Sequence, residues 1–524
     1  MSCATLSFMD NIELSLFSSR ISAVCDEMGA VLQRAAFSPN IKDRLDYSCA
    51  IFDADGRLCA QAAHIPVHLG SMAYAMESIV EAQCWLAGDV LILNDPFLGG
   101  THLPDVTLIT PVFSDDVLLG FVVNRAHHAD IGASSPGSMP ISKTLAEEGM
   151  LIPPSLLFKQ GVKNQRLMDE LLADVSNARQ SEGDFAAQIS ANQLGLQRLL
   201  ELIQDMGNRT YLQALSELDR YAERLAKMAL SIIPDGEYRF SDVMDDDGMG
   251  TTNIVICVEI VVRGHQIDVD FSGTAGQVSG NINCPLSVAV AGVYYVFRCL
   301  MPNYTPACAG SFSGIRVSAP LGCLLNARRP AAVAAGNVET STRVVDAVMG
   351  ALAKAIPDKM AAASQGSMNN LAMGARTNNA SWNYYETVGG GMGASVRGDG
   401  LSGVQTHMTN TLNTPIESLE IHYPVRIGRY EIREGSGGRG LHQGGDGLLR
   451  EFEFLDETQV TLLTERRTHS AWGFAGGEAG LSGENAVVID GSKRVLPSKI
   501  ALKMKTGDKL CIKTPGGGGF GSIV

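Results

Sequence analysis

Three imidazoles and two carboxylates crowd between positions 102 and 130. His102 and Asp105 lie in NDPFLGGTHLPD (94–105), and His127, His128 and Asp130 lie in RAHHADIG (125–132). The whole chain has 10 histidines, so this concentration stands out. Imidazole with carboxylate is the ligand set of zinc, manganese or iron. Two histidines and one carboxylate leave coordination positions open for water and substrate. A lone histidine here would read as a capping or turn residue, as Asp95 does before Pro96. Two histidine-bearing segments that meet in space read as a metal site. Asp46, in RLDYS, reads either as a fourth ligand or as an ordinary strand-start carboxylate.

The elements that must bring these segments together are two β-rich runs, VTLITPVF (106–113) and VLLGFVVNRA (117–126). Ser114-Asp115-Asp116 separates them, which is turn chemistry at hairpin length. With the turn centred on Asp115, Asp105 faces Arg125 and Leu103 faces His127. Asp105 and His127 are then diagonal neighbours on one face, and His128 points the other way. A one-residue shift would exchange His127 and His128. His102 precedes the first strand, where Gly99-Gly100 lets the backbone fold back toward the same spot. The expected ligands are His102, Asp105 and His127. His128 and Asp130 are left as proton-transfer candidates.

The surrounding pattern predicts a mixed α+β fold. A helix is expected over 9–37, a hairpin over 45–60 with its turn at Ala54-Asp55-Gly56, and a helix over 66–87. A helical hairpin fills 165–231, as scaffold or subunit contact. Strands return from 236, helices are expected at 286–300 and 340–355, and the Gly-rich stretch from about 420 reads as β-rich. The domain division is 1–160 around the metal site, 161–235 the helical hairpin, 236–420 an α+β core and 421–524 a β-rich C-terminal domain.

Composition narrows the function. Hydrophobic residues make up 45% and charged residues 19%, enough to build real cores. The net charge of -15 repels phosphate backbones, so nucleic acid is not expected as a partner. The 11 cysteines are scattered with no CxxC, which points to free thiols in a reducing compartment. The first residues lack an export signal and no apolar run is long enough to span a membrane, so a cytoplasmic location is expected. GGGGFG (516–521) contains GxGxxG, but only three residues follow, so it reads as a close-packed glycine tail rather than a dinucleotide turn. No GxxxxGK[ST] is present, and no glycine-flanked serine has the spacing of a hydrolase nucleophile.

The runs NDPFLGGTHLPD, AHHADIG with PGSMP, EEGMLIPP, GNVETSTRVVDA, ASQGSMNN, HMTNTLNTPIE, REGSGGRG and TPGGGGFG resemble the hydantoinase B / 5-oxoprolinase family. The resemblance covers nearly the whole chain in order. It implies the B-type, hydrolytic subunit of an ATP-dependent cyclic amidohydrolase that opens a hydantoin, 5-oxoproline or lactam ring. An A-type, ATP-binding partner would activate the substrate, in a heterotetramer or larger assembly. The alternatives are the metal-dependent subunit of an ATP-dependent ketone carboxylase and a non-catalytic scaffold. The resemblance also implies a divalent ion, zinc or manganese, on His102, Asp105 and His127 with Asp46 as fourth ligand. Glu339, Asn337, His407 and Asn410 are weaker candidates for substrate contacts.

Overall fold

A computed structural model describes residues 9–62, 65–376 and 381–523; the opening residues, read above for want of an export signal, lie outside them. The fold is mixed α+β. The first helix, α1 (Asn11–Ala35), starts at a capping box. Asp10 accepts from the backbone N–H groups of Ile12 and Glu13, and Glu13 returns a bond to the Asp10 N–H. Its apolar stripe, Leu14, Phe17, Ile21, Val24, Met28 and Leu32, is buried at helical spacing.

A seven-stranded antiparallel sheet follows. Its strands are β1 (Tyr47–Asp53), β2 (Leu58–Gln61), β3 (Val90–Leu93), β4 (Asp105–Ser114), β5 (Val117–His127), β6 (Ser155–Lys159) and β7 (Val162–Lys163), in the order β2-β1-β5-β4-β3-β6-β7. Pleat alternation sorts its side chains. Tyr47, Cys49, Ile51, Val122 and Ala126 face α1 and the long helix Ala178–Met206. Ala50, Phe52, Ile109, Phe121 and Val123 face the helix α2 (His68–Ala82). The long helix is held to the sheet by buried amides. Gln188 donates to the Val106 carbonyl and the Asn124 side chain, and Asn192 donates to the Leu108 carbonyl.

The β4–β5 register differs from expectation. Asp105 pairs with His127 and Thr107 with Arg125, a displacement of two residues from the pairing of Asp105 with Arg125. The turn has two central residues, Asp115 and Asp116, both left-handed at φ 49° and 61°, a conformation aspartate tolerates. A bulge then leaves Leu119 unpaired between Leu118, opposite Phe113, and Gly120, opposite Val112. A shift of two preserves which residues share a face, so Asp105 and His127 remain together.

The second half adds a four-stranded sheet over 236–318, covered by helices Leu286–Leu300 and Ser341–Leu352. Two further sheets of four and five strands build the C-terminal region, with their own core around Phe452, Phe454, Leu462 and Ile512. Among the described residues no helix is long and apolar enough to cross a membrane.

Beside those sheets, glycine-rich segments lie backbone against backbone. The Gly517 N–H donates to the Gly445 carbonyl (2.9 Å), and the Gly517 carbonyl accepts from Gly438 (2.8 Å). Gly391 donates to Pro515, and Gly519 to Glu478. None of Gly516 to Gly519 has positive φ, so conformation does not demand glycine there. Space does: a Cβ on any of the four would lie within 3.0 Å of a neighbouring backbone atom, closer than real Cβ atoms approach. The Gly517→Ala variant is expected to lose about 3 kcal/mol, since backbone cannot yield as a side-chain tip can. Denaturant unfolding checks this; an unchanged midpoint would refute the packing argument.

Candidate metal centre

The row Asp105–His127 extends across the next strand. Tyr47 pairs with Ala126, and the His127 N–H donates to the Asp46 carbonyl (3.0 Å). Asp46, His127 and Asp105 therefore stand side by side at one end of the sheet, on the face covered by α2. His102 arrives from the loop before β4. That loop turns through Gly99 at φ 87°, packed so closely on Ala75 of α2 that a side chain has no room.

Three donor atoms form a small triangle. Asp105 Oδ1 is 3.1 Å from His102 Nε2 and 3.1 Å from His127 Nδ1, and the two imidazole nitrogens are 3.2 Å apart. Metal bonds of about 2.1 Å put neighbouring ligands about 3.0 Å apart in an octahedral shell and about 3.4 Å apart in a tetrahedral one. The triangle fits both. Chemistry agrees with geometry. His102 Nδ1 donates to the Ala334 carbonyl (3.1 Å), and Asn337 Nδ2 donates to His102 Nε2 (3.1 Å). In its neutral form the ring turns an Nε2 lone pair toward a carboxylate and a second imidazole, an arrangement that calls for a proton or a metal cation between them. Asp46 is not part of the tight donor set; its Oδ2 lies 3.8 Å from Arg44 Nη1, and its charge acts on both imidazoles.

The electrostatics follow from burial and one carboxylate. Burial opposes charge on His102, but the Asp105 charge and hydrogen bond outweigh it and raise the pKa above 6.5. Burial wins at His127 and lowers it, despite its hydrogen bond to Asp105. Asp105 itself is held well below the usual carboxylate range. Burial works against this, and the His102 charge and the hydrogen bonds from His102, His127 and His68 overcome it.

The support comes from elsewhere in the chain. Val333 and Ala334 are held by Glu148, whose carboxyl accepts from both backbone N–H groups (2.9 and 3.0 Å) and from Ser142 Oγ (2.7 Å). Burial pushes Glu148 up to about 7. Asn337 sits on a π-helical turn, Gly336–Thr340, a wide turn that often marks a functional site. His127 stacks on Tyr385 at 4.8 Å and 13°.

The remaining expected residues fall in different places. His128 lies on the opposite face, with Nε2 2.9 Å from Gln188 Oε1 and its ring against Phe185. Asp130 accepts from the Gly132 and Ser176 N–H groups and from Asn383. Asn337 reaches the cluster. Glu339 reaches it indirectly: Asn370 donates to Glu339 and accepts from the Tyr385 hydroxyl. Burial, then Glu465, push Glu339 up to about 8. His407 stands 3.5 Å from Asp346, in a separate group of buried charges, and Asn410 is exposed. Sequence reasoning missed His68. It opens α2 with Nε2 3.3 Å from Asp105 Oδ2 and Nδ1 2.9 Å from Ser48 Oγ. Its signal was a histidine near the start of the helix expected over 66–87.

Two outcomes are expected. The chain binds about one divalent ion, and His102→Ala, Asp105→Ala and His127→Ala each empty the site while His128→Ala keeps it filled. Metal analysis of the four purified variants decides this, and a filled site in the Asp105 variant would refute the assignment. Because His102 is protonated above its ordinary 6.5 in the metal-free chain, metal must displace that proton. Affinity therefore rises with pH through 6.5 and levels off above the raised pKa. Calorimetry in buffers of different ionisation enthalpy measures the released proton, and none released would contradict the argument.

The chain is 39% identical over 541 residues to 5-oxoprolinase 1 of Arabidopsis thaliana, covering 98% of this chain and 42% of that one. The chain thus spans about two-fifths of the length of that relative. It is 32% identical to the B-type subunit of a putative D-/L-hydantoinase from a Pseudomonas species, covering 98% of this chain and 90% of the other. The solved structure of the ATP-dependent caprolactamase from Pseudomonas jessenii superposes with a TM-score of 0.92 at 27% identity, over 98% of this chain and 92% of that one. With the Hydantoinase B/oxoprolinase family model matching residues 10–523, the chain belongs to the hydantoinase B/oxoprolinase family.

Proposed function

We propose that this chain is the hydrolytic, B-type subunit of an ATP-dependent cyclic amidohydrolase, opening a hydantoin, 5-oxoproline or lactam ring activated by an A-type partner. The observation that carries the reading is the buried triangle of His102, Asp105 and His127. A ring amide resists water because its C–N bond is resonance-stabilised. Phosphorylating its oxygen in the partner gives an electrophilic carbon and a good leaving group. A divalent ion, zinc or manganese, on these residues with Asp46 as fourth ligand would polarise a carbonyl oxygen and bring the pKa of a bound water toward neutrality.

The chain's own residues supply the rest. Ala334 and Asn337 fix the orientation of His102, and Tyr385 fixes the ring plane of His127. Proton transfer, expected above for His128 or Asp130, is better supported at His68, which touches Asp105 and passes on to Ser48. The Pseudomonas relative is named as one subunit of its enzyme, which supports a separate partner. The length of the Arabidopsis 5-oxoprolinase outside the match is the natural counterpart of that partner. We take the assembly to be a heterotetramer or larger.

The test is co-purification with the A-type partner, then ATP turnover on hydantoin, 5-oxoproline and caprolactam, with and without bicarbonate. Ring opening is expected only with both proteins and ATP, independent of bicarbonate, and lost on chelation. The chain alone should register no ATP binding by calorimetry, for want of a phosphate loop. Turnover that requires bicarbonate, or ring opening without the A-type partner, would overturn the reading.

A further inference from the structure

Arg44 is buried completely, and its charge is poorly answered. Among the described residues, Nη2 reaches only Thr387 Oγ1 (3.4 Å) and Thr411 Oγ1 (3.3 Å), both long bonds. Nε and Nη1 have no hydrogen-bond partner among the described residues. The neighbouring carboxylate, Asp46, stands 3.8 Å from Nη1, beyond hydrogen-bond length. The guanidinium lies over Tyr385, 4.6 Å from the ring centroid, and Tyr385 is the ring on which His127 stacks. Between Arg44 and Asp46 the backbone passes through Leu45 at φ 60°, a left-handed conformation that costs a branched apolar residue free energy. The chain holds this strain, and both side chains turn into the same buried place. A buried charge with open N–H directions is expensive unless a ligand answers it.

We infer that Arg44 is an oxyanion subsite of the metal centre, receiving a negatively charged group carried by the substrate. The inference rests on the metal reading above. Asp46 and Asp105 supply two negative charges, and Arg44 with a divalent ion supplies three positive ones. One positive charge is left over in a site whose side chains are buried, and buried Arg125 adds to the same sign. An oxyanion removes the imbalance, and the planar guanidinium fork matches it with two parallel N–H bonds. The group is either the phosphate placed on the substrate during activation or a carboxylate of the substrate itself. Arg44 thus selects a charged substrate form over a neutral ring.

Calorimetric titration of the metal-loaded chain tests this, with inorganic phosphate, 5-oxoproline and 2-pyrrolidinone, the last being the same ring without its carboxylate. Arg44→Met should weaken binding of phosphate or 5-oxoproline by about tenfold or more, the loss of a charged hydrogen-bond pair, and leave 2-pyrrolidinone unaffected. A response to phosphate identifies the activated form; a response to 5-oxoproline identifies the substrate carboxylate. Arg44→Lys keeps the charge but not the fork, so it should also bind the anion more weakly, and it carries the test if Arg44→Met does not fold. Metal content is measured on every variant. Unchanged anion affinity in a variant that retains its metal would overturn the inference, as would a wild-type chain that binds neither anion. A wild-type chain that holds no ion refutes the proposed function instead, and the same titrations on the metal-free chain then decide the role of Arg44.

Discussion

A carboxylate taken out of water must be met by donors on every side, and Asp105 bears that requirement at the centre of this molecule. It is 1% exposed. Thr101, His68, His102 and His127 all converge on its two oxygens. The four come from a loop, the first turn of α2, a second point on the same loop, and the end of β5. Each must arrive within hydrogen-bond reach, since an uncompensated buried charge costs several kcal/mol. That demand presses α2 onto one face of the sheet, folds 96–104 back on itself, and fixes the register of β5.

The centre belongs to both halves of the chain. His102 takes its orientation from Ala334 and Asn337, and His127 takes its ring plane from Tyr385. Glu148 fastens the Val333–Ala334 peptide from the first half, so the two halves clasp each other through backbone N–H groups. The three donor residues are laid down early in the chain, and their geometry is set by residues two hundred positions later.

The sequence made the early part legible and hid the late part, for a physical reason. The clustering of Asp105 with His127 could be read because a hairpin is local: strand alternation and a short turn suffice to bring the two onto one face. The exact pairing was missed by two: one residue from the turn, which centres between Asp115 and Asp116, and one from the bulge at Leu119, which has no side-chain signature, only Gly120 beside it. The face survived because the error was even. His68, Glu148, Asn337 and Tyr385 meet the cluster through tertiary packing, and no spacing in the chain encodes that. The helices themselves were legible from apolar periodicity, which is also local, with the ends matched at 286–300 and within two residues at 11–35, whereas the helix expected over 66–87 stops at Ala82. The glycine tail was legible as close-packed from composition, though not its partners.

Those glycine segments have a thermodynamic character unlike the rest of the protein. The apolar cores draw their stability from water released around hydrocarbon, which gives unfolding a large heat capacity and makes that stability fade in the cold. Where Gly517 meets Gly438, Gly445 and Met392, there is almost no hydrocarbon to release; what is exchanged is peptide hydrogen bonds and dispersion between backbones. Exposure of peptide surface lowers heat capacity rather than raising it. This region therefore contributes enthalpy nearly independent of temperature, set against the steep entropic cost of ordering glycine. Its contribution thus weakens less on cooling than that of the apolar cores.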